Sequence, residues 1–267
     1  MGGRKTRGTR SPVSRGLSCA AAAAAFLVSC SYLPEYAPGS LDQSVSVAET
    51  RAAIVLRKTG APLNAAGLMF YPGGLVDPHG YLPLLADLAA NGIPVIVAKA
   101  PGNLAVISPD AGLPLRAMLP GVTGWVIGGH SLGGAMAAWS AHDHPDAWAG
   151  VVFLAAYPPD TKSLADWPHP VLSVSASNDG LSTQAKITGT LALLPSPQQW
   201  LTAPGQAYPT AAGGFSVMHQ VPGGVHAQFG SYGPQQGDGV PTVSEAAQRA
   251  ETVAYVVEFF QKNGWLP

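Results

Sequence analysis

Gly129-His130-Ser131-Leu132-Gly133 decides the reading of this chain; Trp125-Val126-Ile127 precedes it and Ala135-Met136-Ala137-Ala138-Trp139 follows. The apolar run reads as a strand and the alanine-rich run as a helix, so the serine sits at a strand-to-helix junction. A serine squeezed between glycines there is held on a tight, strained turn with its hydroxyl projecting from the end of the sheet. Side chains at the glycine positions would strike the neighbouring strand and helix, so the small residues are a steric requirement. The chain contains 32 glycines, and a bare G-x-S-x-G arises by chance in such a composition. What decides is whether an acid and then a histidine follow, each at the end of a later strand.

Both follow. Pro170-Val171-Leu172-Ser173-Val174-Ser175-Ala176 is strand-like and breaks at Ser177-Asn178-Asp179-Gly180. Asp179 is thereby placed just past the C-terminal end of a strand, the edge where α/β sheets hold functional side chains. Phe215 to Val221 reads as another strand, broken by Pro222-Gly223-Gly224, with His226 in the loop beyond. Rivals exist. His219 lies inside that last strand, where a histidine reads as a packed core residue. Asp160 follows the strand 151–156 and is the alternative acid. Asp238, in Gln236-Gly237-Asp238-Gly239, reads as a turn residue near the site. Asp77 either positions the loop after the second strand or caps the helix beyond it. His130 needs no chemical role. Tyr71, Tyr81 and Trp139 fit either an acyl pocket or the core. His142 and His144 bracket Asp143 before Pro145 and read as a solvated helix end.

The segments Phe70-Tyr71-Pro72-Gly73-Gly74-Leu75-Val76-Asp77, Gly128 to Gly134, Ser177 to Gly180 and Gly223-Gly224-Val225-His226-Ala227-Gln228-Phe229-Gly230 resemble those of a compact bacterial branch of the α/β-hydrolase superfamily. That branch is related to dienelactone hydrolase and carboxylesterase-like proteins. The resemblance runs from about residue 50 to the C-terminus. It implies a mostly parallel central sheet with helices on both faces and little or no cap domain. The order Ser131, Asp179, His226 then becomes nucleophile, acid, histidine. The implied activity is hydrolysis of carboxylic esters, lactones or lipid esters through an acyl-enzyme, with no cofactor and no metal. Oxyanion donors would be the backbone N–H of Leu132 and one from Pro72-Gly73-Gly74-Leu75, by position Gly74, with Leu75 next. Two other readings remain: acyl transfer to an envelope glycan or lipid, and a non-catalytic binding protein that keeps the fold. Gln198 to Gly214 departs from the pattern, being long, rich in Pro, Gly and Ala, and of a length to fold over the pocket.

The rest of the domain alternates strand and helix, as a parallel sheet covered on both sides requires. Strands are expected at Ala52–Leu56, Gly67–Tyr71, Ile93–Ala98, Val122–Ile127 and Val151–Ala156. Helices are expected at Leu82–Ala90, Ser131–His142 and Ser244–Gln261, the last stopped by Gly264. The stretch from Pro158 to His169 is too short for a cap.

Composition narrows the partners. Hydrophobic residues make up 47% of the 267 residues and charged residues 11%, which excludes a disordered chain. Five of the 14 basic residues precede residue 30 and no acidic residue precedes Glu35; the remainder carries nine basic against 15 acidic residues. A domain of net charge −6 offers no basic patch to nucleic acid. The N-terminus reads as an export signal over residues 1–29: a basic region, then the apolar run Leu17 to Val28, too short to span a bilayer at roughly 20 residues. Leu27-Val28-Ser29-Cys30 resembles a lipobox, which implies lipidation of Cys30 and attachment at the outer face of a bacterial membrane, with plain secretion as the alternative. The two cysteines, Cys19 and Cys30, lie within this leader and directly after it, so the expected domain has none. Residues 30–48 are expected to be a tether, and 49–267 the hydrolase domain, acting on a small-molecule or lipid ester.

Overall fold

Apolar side chains alternate along the central strands and thereby assign themselves to two cores, one on each face of the sheet. The computed structural model describes residues 1–2, 31–37, 39–63, 66–122, 124–210 and 213–266. The expected export signal and Cys30 lie outside the described residues. Within 32–267, which cluster as one unit, the strands are β1 (Val45–Glu49), β2 (Ala53–Lys58), β3 (Gly67–Tyr71), β4 (Val95–Ala98), β5 (Trp125–His130), β6 (Gly150–Leu154), β7 (Val171–Ala176), β8 (Gln198–Leu201) and β9 (Ser216–Val221). They form one sheet in the order β1-β2-β4-β3-β5-β6-β7-β9-β8. Pairing is antiparallel for β1 with β2 and β2 with β4, and parallel from β4 onward. The helices are α1 (Leu82–Ala90), α2 (Gly112–Leu115), α3 (Leu132–Asp143), α4 (Gln184–Gly189) and α5 (Glu245–Lys262).

β3 shows how the layers arise. All five of its residues are buried. Leu68 and Phe70 join a core with Leu84, Leu85 and Leu88 of α1 and Val256, Phe259 and Phe260 of α5. Met69 and Tyr71 face the other way, onto Met136, Ala137 and Ala141 of α3. A strand covered on both faces must be apolar throughout, which is why the central strands read as unbroken hydrophobic runs. Each fully buried large side chain contributes about 1.5–3 kcal/mol. Asp77 caps the turn leading to α1, its carboxylate accepting from His79 N at 2.9 Å; Ser244 caps α5 by accepting from Ala247 N at 3.1 Å.

Three features bear on the expectations. First, part of the expected tether, at Tyr32, Glu35 and from Val45 onward, is bonded to the domain. Tyr32 bridges Val76, Glu35 N donates to Ser231 O at 2.7 Å, and Val45–Glu49 adds an edge strand to β2. That strand is half-exposed, so it is held by backbone pairing rather than by apolar burial. Second, Gln198 to Gly214 begins as edge strand β8 and then turns toward α5, where Gly205 N donates to Glu258 Oε2 at 2.8 Å. None of its described residues lines the cavity at Ser131. Third, a single short turn, Asp160–Lys162, is the only helical element between β6 and β7. The domain is a mostly parallel sheet covered by helices on both faces, with no cap between β6 and β7.

Candidate active site

Parallel strands carry their C-terminal loops to one edge, and Ser131, Asp179 and His226 follow β5, β7 and β9 at that edge. Ser131 has φ +53 and ψ −124, a conformation that L residues rarely adopt. Its N–H donates to Leu154 O on β6 at 3.0 Å, so the turn is tied to the next strand. The flanking glycines are forced by proximity. A Cβ at Gly129 would lie 2.6 Å from the Tyr71 carbonyl oxygen, and one at Gly133 would overlap the carbonyl oxygens of Tyr71 and Pro72. Strain of this kind costs of order 1–3 kcal/mol and persists only where the surroundings impose it.

Asp179 and His226 are joined. His226 Nδ1 lies 2.8 Å from Asp179 Oδ2, with both side chains buried. Asp179 Oδ1 accepts from Leu181 N at 2.7 Å and Ser182 N at 2.6 Å. All of its bonds come from N–H groups, so Nδ1 carries the hydrogen that faces it and the lone pair of the neutral ring is on Nε2. Nε2 is buried and has no hydrogen-bond partner among the described residues. No hydrogen bond joins it to the Ser131 hydroxyl. The imidazole packs against the residue just before the serine: the rings of His226 and His130 are 4.4 Å apart.

The two loops that carry the N–H groups expected to face a reacting oxygen are in contact. A Cβ on Gly74 would come within 3.0 Å of the Leu132 side chain, so the two loops meet. Leu75 N–H is already spent on Asn103 O at 2.8 Å. Among the described residues neither Gly74 N–H nor Leu132 N–H has an acceptor; Leu132 opens α3, where the first amides have none within the helix. A cavity of about 260 Å³ opens on Ser131, lined by Leu132, Ala135, Ala155, Ala156, Tyr157 and Ser182.

The rivals separate by environment. His219 is structural: its ring stacks on Tyr255 at 3.7 Å, Nε2 meets Glu251 at 2.7 Å and Nδ1 meets Leu201 O at 3.1 Å. Asp160 is exposed, and no histidine bonds to it among the described residues. Tyr71 and Tyr81 are core residues. His142 Nδ1 bonds Ser163 O at 2.7 Å, and His144 faces Asp110 at 3.4 Å.

Two residues matter more than their sequence context suggests. Tyr81 Oη accepts from Gly73 N at 3.0 Å, which leaves its hydrogen for His130 Nδ1 at 2.8 Å. His130 thus ties the loop of Gly74 to the ring of His226. Burial, and then the charge of His226, push its pKa well below the ordinary histidine value. Asp238 is a staple between loops. Oδ1 accepts from Gly180 N at 3.2 Å, His226 N at 3.1 Å and Gly239 N at 2.8 Å, and Oδ2 from Ala227 N at 2.8 Å. It fastens the Asp179 loop to the His226 loop. No local pattern announces either bond set, since the partners lie 49 and 58 residues apart in sequence.

Residues 67–250 match the profile of a family described as the alpha/beta hydrolase family. No curated protein sequence matches the chain. Among solved structures, the chain is similar to a dienelactone hydrolase from Anabaena variabilis, at 12% identity and a TM-score of 0.57 over 84% of this chain and 100% of that one. It is also similar to a thermostable esterase from Pseudomonas putida, at 15% identity and a TM-score of 0.54 over 92% and 89% of the two chains. Est1E from Butyrivibrio proteoclasticus gives 13% identity and a TM-score of 0.52 over 83% and 99%. At these identities the likeness is one of fold.

Proposed function

The chain belongs to the alpha/beta hydrolase family, and from that premise we propose that it is a serine hydrolase that cleaves carboxylic esters at the cell envelope. The carrying observation is the buried His226 Nε2, which has no partner while Asp179 holds the other side of its ring. A lone pair left open on a ring packed against His130, the residue just before a strained serine, is what a general base needs.

Ser131 Oγ gives up its proton to Nε2 and attacks the ester carbonyl carbon. The oxygen that becomes negative is received by the N–H groups of Leu132 and Gly74. Each such donor is worth about 3 kcal/mol in the transition state. Asp179 keeps the ring in its tautomer and stabilises the imidazolium. When the tetrahedral species collapses, the ester C–O bond breaks and the departing alkoxide takes the proton from His226. Water then attacks the acyl-enzyme, again losing its proton to His226. The acid is released and Ser131 recovers its hydrogen.

The N-terminal reading supports the location: an export signal over residues 1–29 and a lipobox-like Cys30, which would place the enzyme, lipid-anchored, at the outer face of a bacterial membrane. The test is turnover of a short-chain nitrophenyl ester by the intact chain and by Ser131→Ala. The variant is expected to lose kcat by about 10⁶. Equal turnover by the two proteins overturns the reading.

A further inference from the structure

We propose that the edge of the molecule bearing Ser131 docks on a lipid bilayer, and that its esters are presented at the bilayer surface. This rests on the serine-hydrolase reading above and adds where the substrate is met.

The first observation is where apolar surface is left bare. Among the described residues from 32 onward, six large hydrophobic side chains are exposed: Leu33, Val47, Val106, Ile107, Trp200 and Val240. Four of the six lie on loops at the reaction edge. Leu33 adjoins Tyr32, whose N–H donates to Leu75 O at 2.8 Å and whose C=O accepts from Asp77 N at 2.9 Å. Val106 and Ile107 sit in the turn after β4, which is tied to the same loop through Leu75 N–H and Asn103 O. Val240 O accepts from Asn178 Nδ2 at 3.0 Å, beside Asp179. The other two, Val47 and Trp200, belong to the strands at the sheet's two margins. Single exposed hydrophobics are ordinary on a soluble surface, whereas a set gathered on one edge marks an interface.

The second observation is the course of the chain. Tyr32 is bound to the loop that holds Gly74, and its ring lies 5.7 Å from Tyr232. The apolar run Leu17–Val28 ends four residues earlier in sequence. One residue, Ser31, separates Tyr32 from Cys30, two steps of chain that reach at most about 7 Å. The folded unit therefore begins on the loop that holds Gly74, so any lipid carried by the residues before it is tethered from the reaction edge. A net charge of −6 beyond residue 29 gives no overall attraction to an anionic surface, so the contact proposed is made by apolar side chains entering the interface.

The test uses the full chain in phosphatidylcholine vesicles, with nitrophenyl palmitate dissolved in the bilayer and nitrophenyl acetate in the water. Replacing Leu33, Val106, Ile107 and Val240 together by Asp is expected to lower palmitate turnover at least tenfold and leave acetate turnover within twofold. Inserting 20 Gly/Ser residues between Ser31 and Tyr32, which alters no rim side chain, is expected to lower palmitate turnover severalfold and leave acetate unchanged. Unchanged palmitate turnover in both variants overturns the proposal. So does a parallel fall of both esters in both variants, or a shift of the Asp variant from dimer to monomer with palmitate unaffected. A third readout needs no activity: an environment-sensitive dye on Ile107→Cys should shift to the blue on adding vesicles, and the same dye on Val47→Cys should not. Equal responses refute docking even if the wild type hydrolyses no ester, whereas absent acetate turnover with a selective shift at 107 refutes the hydrolase reading alone.

Discussion

Asp238→Ala is the substitution whose effect follows most directly from the geometry. The carboxylate receives three bonds that cross between loops, from Gly180, His226 and Ala227, and one from its neighbour Gly239. Hydrogen bonds to charged groups are worth about 1.5–3 kcal/mol when buried. The side chain is half-buried, so about 1 kcal/mol for each crossing bond is the working figure. Alanine removes all three, a loss of about 3 kcal/mol. Asparagine can keep the bonds to Oδ1 but sets its amide hydrogens against Ala227 N–H, a loss of about 1 kcal/mol. For a domain of this size each kcal/mol corresponds to about 2–4 °C in Tm. Calorimetry should therefore show Asp238→Ala melting about 6–12 °C below the wild type and Asp238→Asn about 2–4 °C below. Ester turnover should respond as well. The loops that loosen carry Asp179 and His226, and small misplacements are costly, so kcat of the alanine variant should fall about 10–100-fold with KM nearly unchanged. Alanine and asparagine variants with equal melting points, or an alanine variant with wild-type kcat, would refute the staple.

The other expectations are briefer. His219→Gln should lower Tm, because it breaks the contacts to Glu251 and Leu201, and leave kcat within threefold; His226→Gln should abolish turnover, and the reverse pattern would exchange their roles. With the pKa of His130 held well below its ordinary value, the unfolded chain binds more protons than the folded one once the pH drops below about 6.5. Stability should consequently decline from pH 7 to pH 5, and the slope should flatten in His130→Gln; urea unfolding at the two pH values is the check, and a rise on acidification contradicts it. Gly133→Ala would drive a methyl into the Tyr71 and Pro72 carbonyl oxygens, so it should destabilise the domain by more than the ~1–3 kcal/mol of ordinary overpacking and abolish turnover; a variant with wild-type Tm would contradict the packing.

The central strands and the two longest helices were legible in the sequence because burial on both faces leaves an unbroken apolar run and caps leave Ser244 and Gly264. The margins of the sheet were not. β1 reads Val-Ser-Val-Ala-Glu and β8 reads Gln-Gln-Trp-Leu; each pairs along one side and is only partly buried, so neither carries the unbroken apolar run of a central strand. For the same reason the stretch around Tyr32 and Val45 looks like a linker when backbone pairing fastens those residues to the domain. At the site, Ser131, Asp179 and His226 stand out locally because strand ends and turn residues mark where each belongs. The supports of Asp179 and His226 do not. His130 occupies a position that looks free to vary, and Asp238 sits in an ordinary glycine turn. Their importance lies in partners brought close only by the fold, Tyr81 and the Gly180 and Ala227 amides.

The central claim is that the hydroxyl at 131 is made nucleophilic by the imidazole at 226. Treating the protein with a fluorophosphonate and mapping the adduct by peptide mass spectrometry tests this most directly. One adduct is expected, on Ser131, and it should disappear in His226→Gln. Absence of any adduct, or an adduct on another residue with Ser131 untouched, would contradict the account.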